Sequence, residues 1–233
     1  MLRIWDNLPD EMKNDDVRQY YDILKNRKLS LFVKRAFDII MSFILLIIIS
    51  PFLLILVILI KLDSPGPVFF RQERITRYGK KFKIFKFRTM TVDAEKTGSQ
   101  ITIKNDSRIT RIGRILRKYR LDEIPQCIDI LRGTMTFVGT RPEVPKYVDR
   151  YTPEMMATLL LPAGVTSEAS IIYKDEEQLI NNASNVDETY VKIILPAKMS
   201  YNLQSIERFN FIRDVKILFM TIFAVCGKEY KDS

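Results

Sequence analysis

The 233 residues carry 37 Lys and Arg against 28 Asp and Glu, a formal balance of +9, and no histidine. Without histidine there is no Ser-His or Cys-His nucleophile pair and no His metal cluster, which leaves carboxylates, Lys, Arg, Tyr and hydroxyls as candidate catalysts. Cys127 and Cys226 are too few for a disulfide framework or a Cys-rich zinc site, and the 8 glycines form neither a dinucleotide fingerprint nor a P-loop, so side chains must hold any nucleotide phosphate.

The length suits one compact domain with an appendage. We divide it into an N-terminal extension (1–30), a membrane helix (31–62) and a catalytic domain (63–233). The extension mixes acids, bases and aromatics; a short helix is expected through Tyr20, Tyr21 and Leu24. Residues 43–60 read FILLIIISPFLLILVILI without a charge. As a helix this run is about 27 Å long, close to the hydrocarbon thickness of a bilayer.

Ser50 and Pro51 fall near its middle, where Pro removes a backbone hydrogen bond and should kink the helix, and where Ser50 can partly satisfy the freed carbonyl. Both flanks are basic, with Lys34 and Arg35 before the run and Lys61, Arg71 and Arg74 after it. If positive charge stays cytoplasmic, both ends lie on one side and the helix is re-entrant; a tilted, kinked bitopic helix is the alternative. The late start, the length and the lack of an A-x-A-like exit speak against a cleaved signal peptide.

Beyond it, DSPGP (63–67) is a turn and VFFRQERI opens like a strand. In KFKIFKFRTM (81–90), Phe82, Ile84, Phe85 and Phe87 interleave with Lys81, Lys83, Lys86 and Arg88, which predicts a short strand or hairpin with a basic edge. Residues 108–131 have helical spacing, ended by Gly133 and Thr134. A second apolar helix is expected over 207–225, either packed as core or lying in the headgroup plane. The fold class is therefore α/β, mostly helical with few short strands, in a single membrane-associated domain.

Two clusters can carry chemistry. Asp122 and Glu123 stand side by side below Arg117, Lys118 and Arg120, where they could hold a divalent metal and supply a nucleophile. Equally, Asp122 could cap a helix starting near Pro125. In FVGTRPEVP (137–145), Arg141 beside Pro142 could be a phosphate clamp with little entropy left to lose, or an Arg on a surface turn.

In this order, KRAFDII, the run broken by Ser50-Pro51, SPGPVFFRQERI, KIFKFRTM, DSRITRIGRILRKYRLDEIPQ, GTMTFVGTRP and RDVKILFMT resemble the bacterial sugar transferase family, small monotopic phosphoglycosyl transferases, over roughly 34–225. The resemblance implies a re-entrant helix broken at Ser50-Pro51, Asp122 as nucleophile, Glu123 as its partner in a dyad requiring Mg²⁺, and Arg117 supporting the dyad. Arg141 matches the Arg of the family's Pro-Arg-Pro turn. Thr140 replaces the first Pro of that turn, and PAGVTSEAS (162–170) departs from the family's usual stretch, which leaves donor-sugar contacts open.

The reaction so implied moves a sugar 1-phosphate from a UDP-sugar to polyprenyl (undecaprenyl) phosphate through a phospho-aspartyl intermediate, at the cytoplasmic face of the bacterial inner membrane. It would be the first membrane step of exopolysaccharide assembly. A carboxylate needs no histidine base to attack phosphorus, and a basic chain suits anionic phospholipids. The rival expectation is a non-catalytic membrane-surface scaffold. Nucleic acid is not an expected partner, since the aromatics lack an RRM-type signature.

Overall fold

The computed structural model describes residues 2–92, 94, 106–174 and 185–225. It is mostly helical, with short strand pairs. Helix α1 (Asp15–Lys25) starts where the Asn14 side chain accepts the Val17 N–H at 2.9 Å, and it buries Val17, Tyr20, Tyr21 and Leu24, the one face expected of that segment. With Leu8 and Met12 these residues pack on Ile75, Tyr78, Leu159, Leu160, Leu203 and Ile206, so the extension forms part of the largest core.

Helix α2 (Lys28–Asp63) is the one helix, among the described residues, long and apolar enough to cross a membrane. Its polarity is inside out. Lys34, Asp38 and Ser42, four residues apart, are buried, while Ile40, Ile48, Leu54 and Ile58 are exposed. The backbone stays helical through Ser50-Pro51. Pro51 frees the carbonyl four residues back, that of Ile47, and the Ser50 hydroxyl donates to that same carbonyl at 2.8 Å.

Both halves of α2 are fastened to one body. In the first, Lys34 donates to the Val138 carbonyl (2.7 Å) and pairs with Asp214 (2.5 Å), and Arg35 donates to the Ile130 and Leu131 carbonyls. Asp38 accepts from the Thr136 hydroxyl (2.6 Å) and the Phe137 N–H (3.2 Å). At the far end, Leu56 and Ile60 pack on Phe87 and Leu116, and Asp63 accepts the Ile112 N–H at 2.9 Å.

The chain then folds back on itself as a nested antiparallel ribbon. Strand β1 (Phe69–Phe70) pairs with β4 (Lys86–Phe87), and β2 (Glu73–Ile75) with β3 (Lys81–Lys83). The basic-apolar alternation of 81–90 is thus two short strands on the return arm.

The helical stretch expected over 108–131 is interrupted. Helix α3 (Arg111–Lys118) gives way to a 3-10 turn (Leu121–Glu123) and then α4 (Gln126–Arg132). Arg120 is the cause: it sits in the left-handed region at φ 55°, which reverses the chain, and Pro125 has no N–H to continue a helix through. Gly133, also left-handed at φ 79°, ends α4 as expected.

Strand β5 (Met135–Val138) runs parallel to β6 (Ala163–Thr166), with α5 (Pro145–Val148) between them in sequence. Helix α6 (Glu168–Ile172) follows, then α7 (Val186–Thr189), one π turn (Tyr190–Ile194) and α8 (Leu195–Glu207). The helix expected over 207–225 is α9 (Phe211–Val225), shorter at its start because Arg208 to Asn210 form the break from α8. Ile217 packs as core, as one of the two expectations had it, while Ile212, Phe219, Ile222 and Phe223 are exposed.

Candidate active site

The reversal at Arg120 turns the next three side chains inward. Leu121 packs toward the Leu56, Ile60, Phe87 and Leu116 cluster, and Asp122 and Glu123 end at 5% and 8% exposure. Two adjacent buried carboxylates demand compensation. Lys86 supplies it to both, with Nζ 3.3 Å from Asp122 and 3.1 Å from Glu123. Arg141 grips Glu123 bidentately, through Nη1 to Oε2 at 3.0 Å and Nη2 to Oε1. Burial pushes the Glu123 carboxyl up, but Arg141 and Lys86 outweigh it and hold the group well below the usual carboxylate range.

The helix-cap reading of Asp122 does not hold. The residue at the start of α4 is Pro125, and no side chain caps that helix. Arg141 is not a free surface arginine either, since its Nη1 also donates to the Val165 carbonyl at 3.2 Å. Its turn is braced by the departing PAGVTSEAS stretch. Gly164 N–H donates to the Thr140 carbonyl (2.8 Å) and Gly139 N–H to the Thr166 carbonyl (3.0 Å). A Cβ at Gly164 would lie 2.1 Å from the Gly139 oxygen, so only glycine permits this approach. Arg74, whose buried guanidinium is pushed below its ordinary pKa by desolvation, donates to the Pro142 carbonyl at 3.0 Å.

Beside the dyad opens a cleft of about 480 Å³, within the range of small-molecule sites. Glu123 and Arg141 are in its wall together with Lys118, Arg120, Lys174 and Lys198. Asp122 is not among the lining residues and lies beside Glu123, on the shared Lys86 ammonium. Burial pushes the Cys127 thiol, also in the wall, up to about 11, which makes it a poor nucleophile.

Arg117, in the last turn of α3, is half-buried, and its charge helps depress the Asp106 carboxyl, which Arg108 holds directly. Ser50 and Pro51 lie in α2, in the helix that the dyad turn rests on through Leu121. Lys86 carries no site motif in the sequence; the basic edge of its strand is its one linear mark.

Among the described residues no group of three or more His, Cys, Asp or Glu gathers, so Asp122 and Glu123 are the two carboxylates the site offers a divalent ion. Mg²⁺ takes one or two carboxylates and completes its shell with water and substrate phosphates.

Asp122 and Glu123 thus form a buried carboxylate pair beside a cation-lined cleft, on a turn packed against the long apolar helix α2. The model of the bacterial sugar transferase family matches residues 29–228, and the chain belongs to that family. It is 35% identical over 194 residues (82% of this chain, 43% of the relative) to the UDP-N-acetylgalactosamine-undecaprenyl-phosphate N-acetylgalactosaminephosphotransferase of Aeromonas hydrophila. It is also 35% identical over 195 residues (82% and 39%) to the UDP-glucose:undecaprenyl-phosphate glucose-1-phosphate transferase of Escherichia coli. Over 114 residues (48% and 57%) it is 50% identical to an exopolysaccharide production protein of Rhizobium leguminosarum. The chain thus spans about two-fifths of the length of the first two relatives.

Proposed function

We propose that this protein transfers a sugar 1-phosphate from a UDP-sugar to undecaprenyl phosphate, an early membrane step of exopolysaccharide assembly. The observation that carries the proposal is the Asp122–Glu123 pair, buried between Lys86 and Arg141 at a cationic cleft. The functions for which the relatives are named agree with it.

In the first step an Asp122 carboxylate oxygen attacks the phosphorus that bears the sugar. The bond from that phosphorus to the bridging oxygen breaks, and UMP leaves. In the second, a phosphate oxygen of undecaprenyl phosphate attacks the same phosphorus, the acyl-phosphate bond breaks, and the Asp122 carboxylate is restored. Lys86 and Arg141 neutralise the approaching diphosphate, whose charge would otherwise repel the dyad. When bound, Mg²⁺ held by Asp122 and Glu123 would further screen that charge. Glu123, kept ionised by its partners, acts as an acceptor in the site and not as an acid.

The lipid acceptor presents its phosphate at the headgroup plane, so the body must sit there. We assign α2 as a re-entrant helix in the cytoplasmic leaflet, bent at Ser50-Pro51, with the exposed apolar face of α9 alongside. The ties from both halves of α2 to one body support this, as do the basic flanks. Single cysteines at exposed Leu29 and Leu62, on a background lacking Cys127 and Cys226, should both react with an impermeant maleimide from the cytoplasmic side. Labelling from opposite sides would make the helix bitopic.

The chemistry is tested by incubating the nanodisc-held protein with a panel of UDP-sugars and no lipid. Intact mass spectrometry should show a sugar-phosphate adduct and UMP in solution, both lost in Asp122→Asn. Product formation by Asp122→Asn on adding lipid phosphate would end the covalent scheme. Absence of UMP release with every donor would favour a surface-binding role.

A further inference from the structure

We propose that Lys198 is a substrate-contacting residue that holds the donor's diphosphate, and that Tyr190 and Glu143 position it. Lys198 lies on α8, far in sequence from the dyad, yet its side chain lines the same cleft as Glu123 and Arg141. It is 5% exposed, and within the fold its charge is met by the buried Glu143 carboxylate at 3.9 Å.

Its surroundings are built. The Tyr190 hydroxyl donates to Glu143 Oε1 at 2.6 Å, and the Lys198 ammonium donates to the same hydroxyl at 3.3 Å, with Glu143 at 3.9 Å. Tyr190 therefore stands between acid and amine and sets the direction of the amine. Glu143 is two residues beyond Arg141, and its carbonyl is tied to the Ile75 N–H at 2.9 Å. The turn that presents Arg141 thus also anchors Lys198.

The backbone explains how two residues eight apart, two helical turns along, come to meet. Two α turns take about seven residues. The π turn at Tyr190–Ile194 absorbs the extra one and brings Tyr190 and Lys198 onto one face, the kind of local irregularity that recurs at functional sites. Among the described residues lining the cleft, Glu123 is the lone acid, held by Arg141 and Lys86, and cations outnumber it: Lys118, Arg120, Arg141, Lys174 and Lys198. A nucleoside diphosphate fits that surplus. The lipid acceptor also carries phosphate, and the two sources are separated by which Michaelis constant moves.

The assignment rests on the transferase reading, but its first test does not need turnover. UDP binding to the full-length protein in nanodiscs is measured by calorimetry for wild type, Lys198→Met and Lys198→Arg, with thermal melting as the control for folding. Lys198→Met should weaken UDP at least tenfold, and Lys198→Arg should recover most of the loss. In turnover, Lys198→Met should raise the donor KM in proportion while the acceptor KM stays within twofold. Unchanged UDP affinity, or a rise confined to the acceptor KM, overturns the assignment. Should Lys198→Met fail to fold, Tyr190→Phe is read instead. It should weaken UDP about threefold to fivefold, and no change overturns the tether. Wild type that binds UDP through Lys198 but releases no UMP from any donor refutes the transferase reading while supporting this site.

Discussion

In the middle of α2 the residues left outside are Ile40, Phe43, Ile48 and Leu54, and in the turn after α3 the residues taken inside are Asp122 and Glu123. Each region places its side chains where water would not want them. The difference lies in what compensates. The carboxylates find theirs within the fold, in Lys86 and Arg141. Nothing in the described body covers the apolar side chains, and under the proposed function a hydrocarbon phase does. The two regions meet at Leu56, Ile60 and Leu121, so the long apolar helix is also the floor under the charged turn.

The comparison breaks most sharply if the inner charge is altered. Glu123→Gln keeps the shape but leaves Arg141 and Lys86 facing a neutral amide, and UMP release should fall by roughly 10²–10⁴ with the melting transition retained. An unchanged rate would remove Glu123 from the chemistry. Arg141→Met leaves the Glu123 charge with Lys86 alone; stability should fall by about 3 kcal/mol in urea unfolding, together with activity.

The outer region is probed by Ile48→Asp at a 69% exposed position. Flotation with liposomes should weaken by an amount matching about 2.5–3.5 kcal/mol, whereas melting of the detergent-solubilised body should barely move. Equal loss in both assays would mean that Ile48 packs within the protein. Asp38→Ala opens the join between the regions. It strands the Thr136 hydroxyl and the Phe137 N–H, and should destabilise the fold by about 2 kcal/mol without changing the donor KM.

The smallest effect is expected at Asp106, whose side-chain hydrogen bonds to Arg108 lower its pKa below 3.8. A depressed carboxyl stabilises the fold fully above its unfolded value and loses that contribution as pH falls through the folded one. The stability difference between wild type and Asp106→Asn should therefore be constant above about pH 5 and shrink below pH 3.8. A difference that persists unchanged at pH 2.5 would show that the pair's charge is irrelevant.

Much of the molecule could be read along the chain because it is governed by neighbours a few residues apart. The apolar run, the carbonyl freed by Pro51 and met by Ser50, the buried face of α1 and the stop at Gly133 all depend on spacings within one or two turns. The Asp-Glu pair and the Arg141 turn were visible for the same reason, as short patterns. The break at Arg120 was not, since a left-handed arginine has no compositional mark and is held there by the packing of Leu121. Nor could a linear pattern reveal that Lys86 and Arg141, 37 and 18 positions from Glu123, converge on it, or that Lys198 shares their cleft. Such encounters follow from how strands and helices stack once the core closes, because a charge taken from water accepts whichever partner that closure delivers.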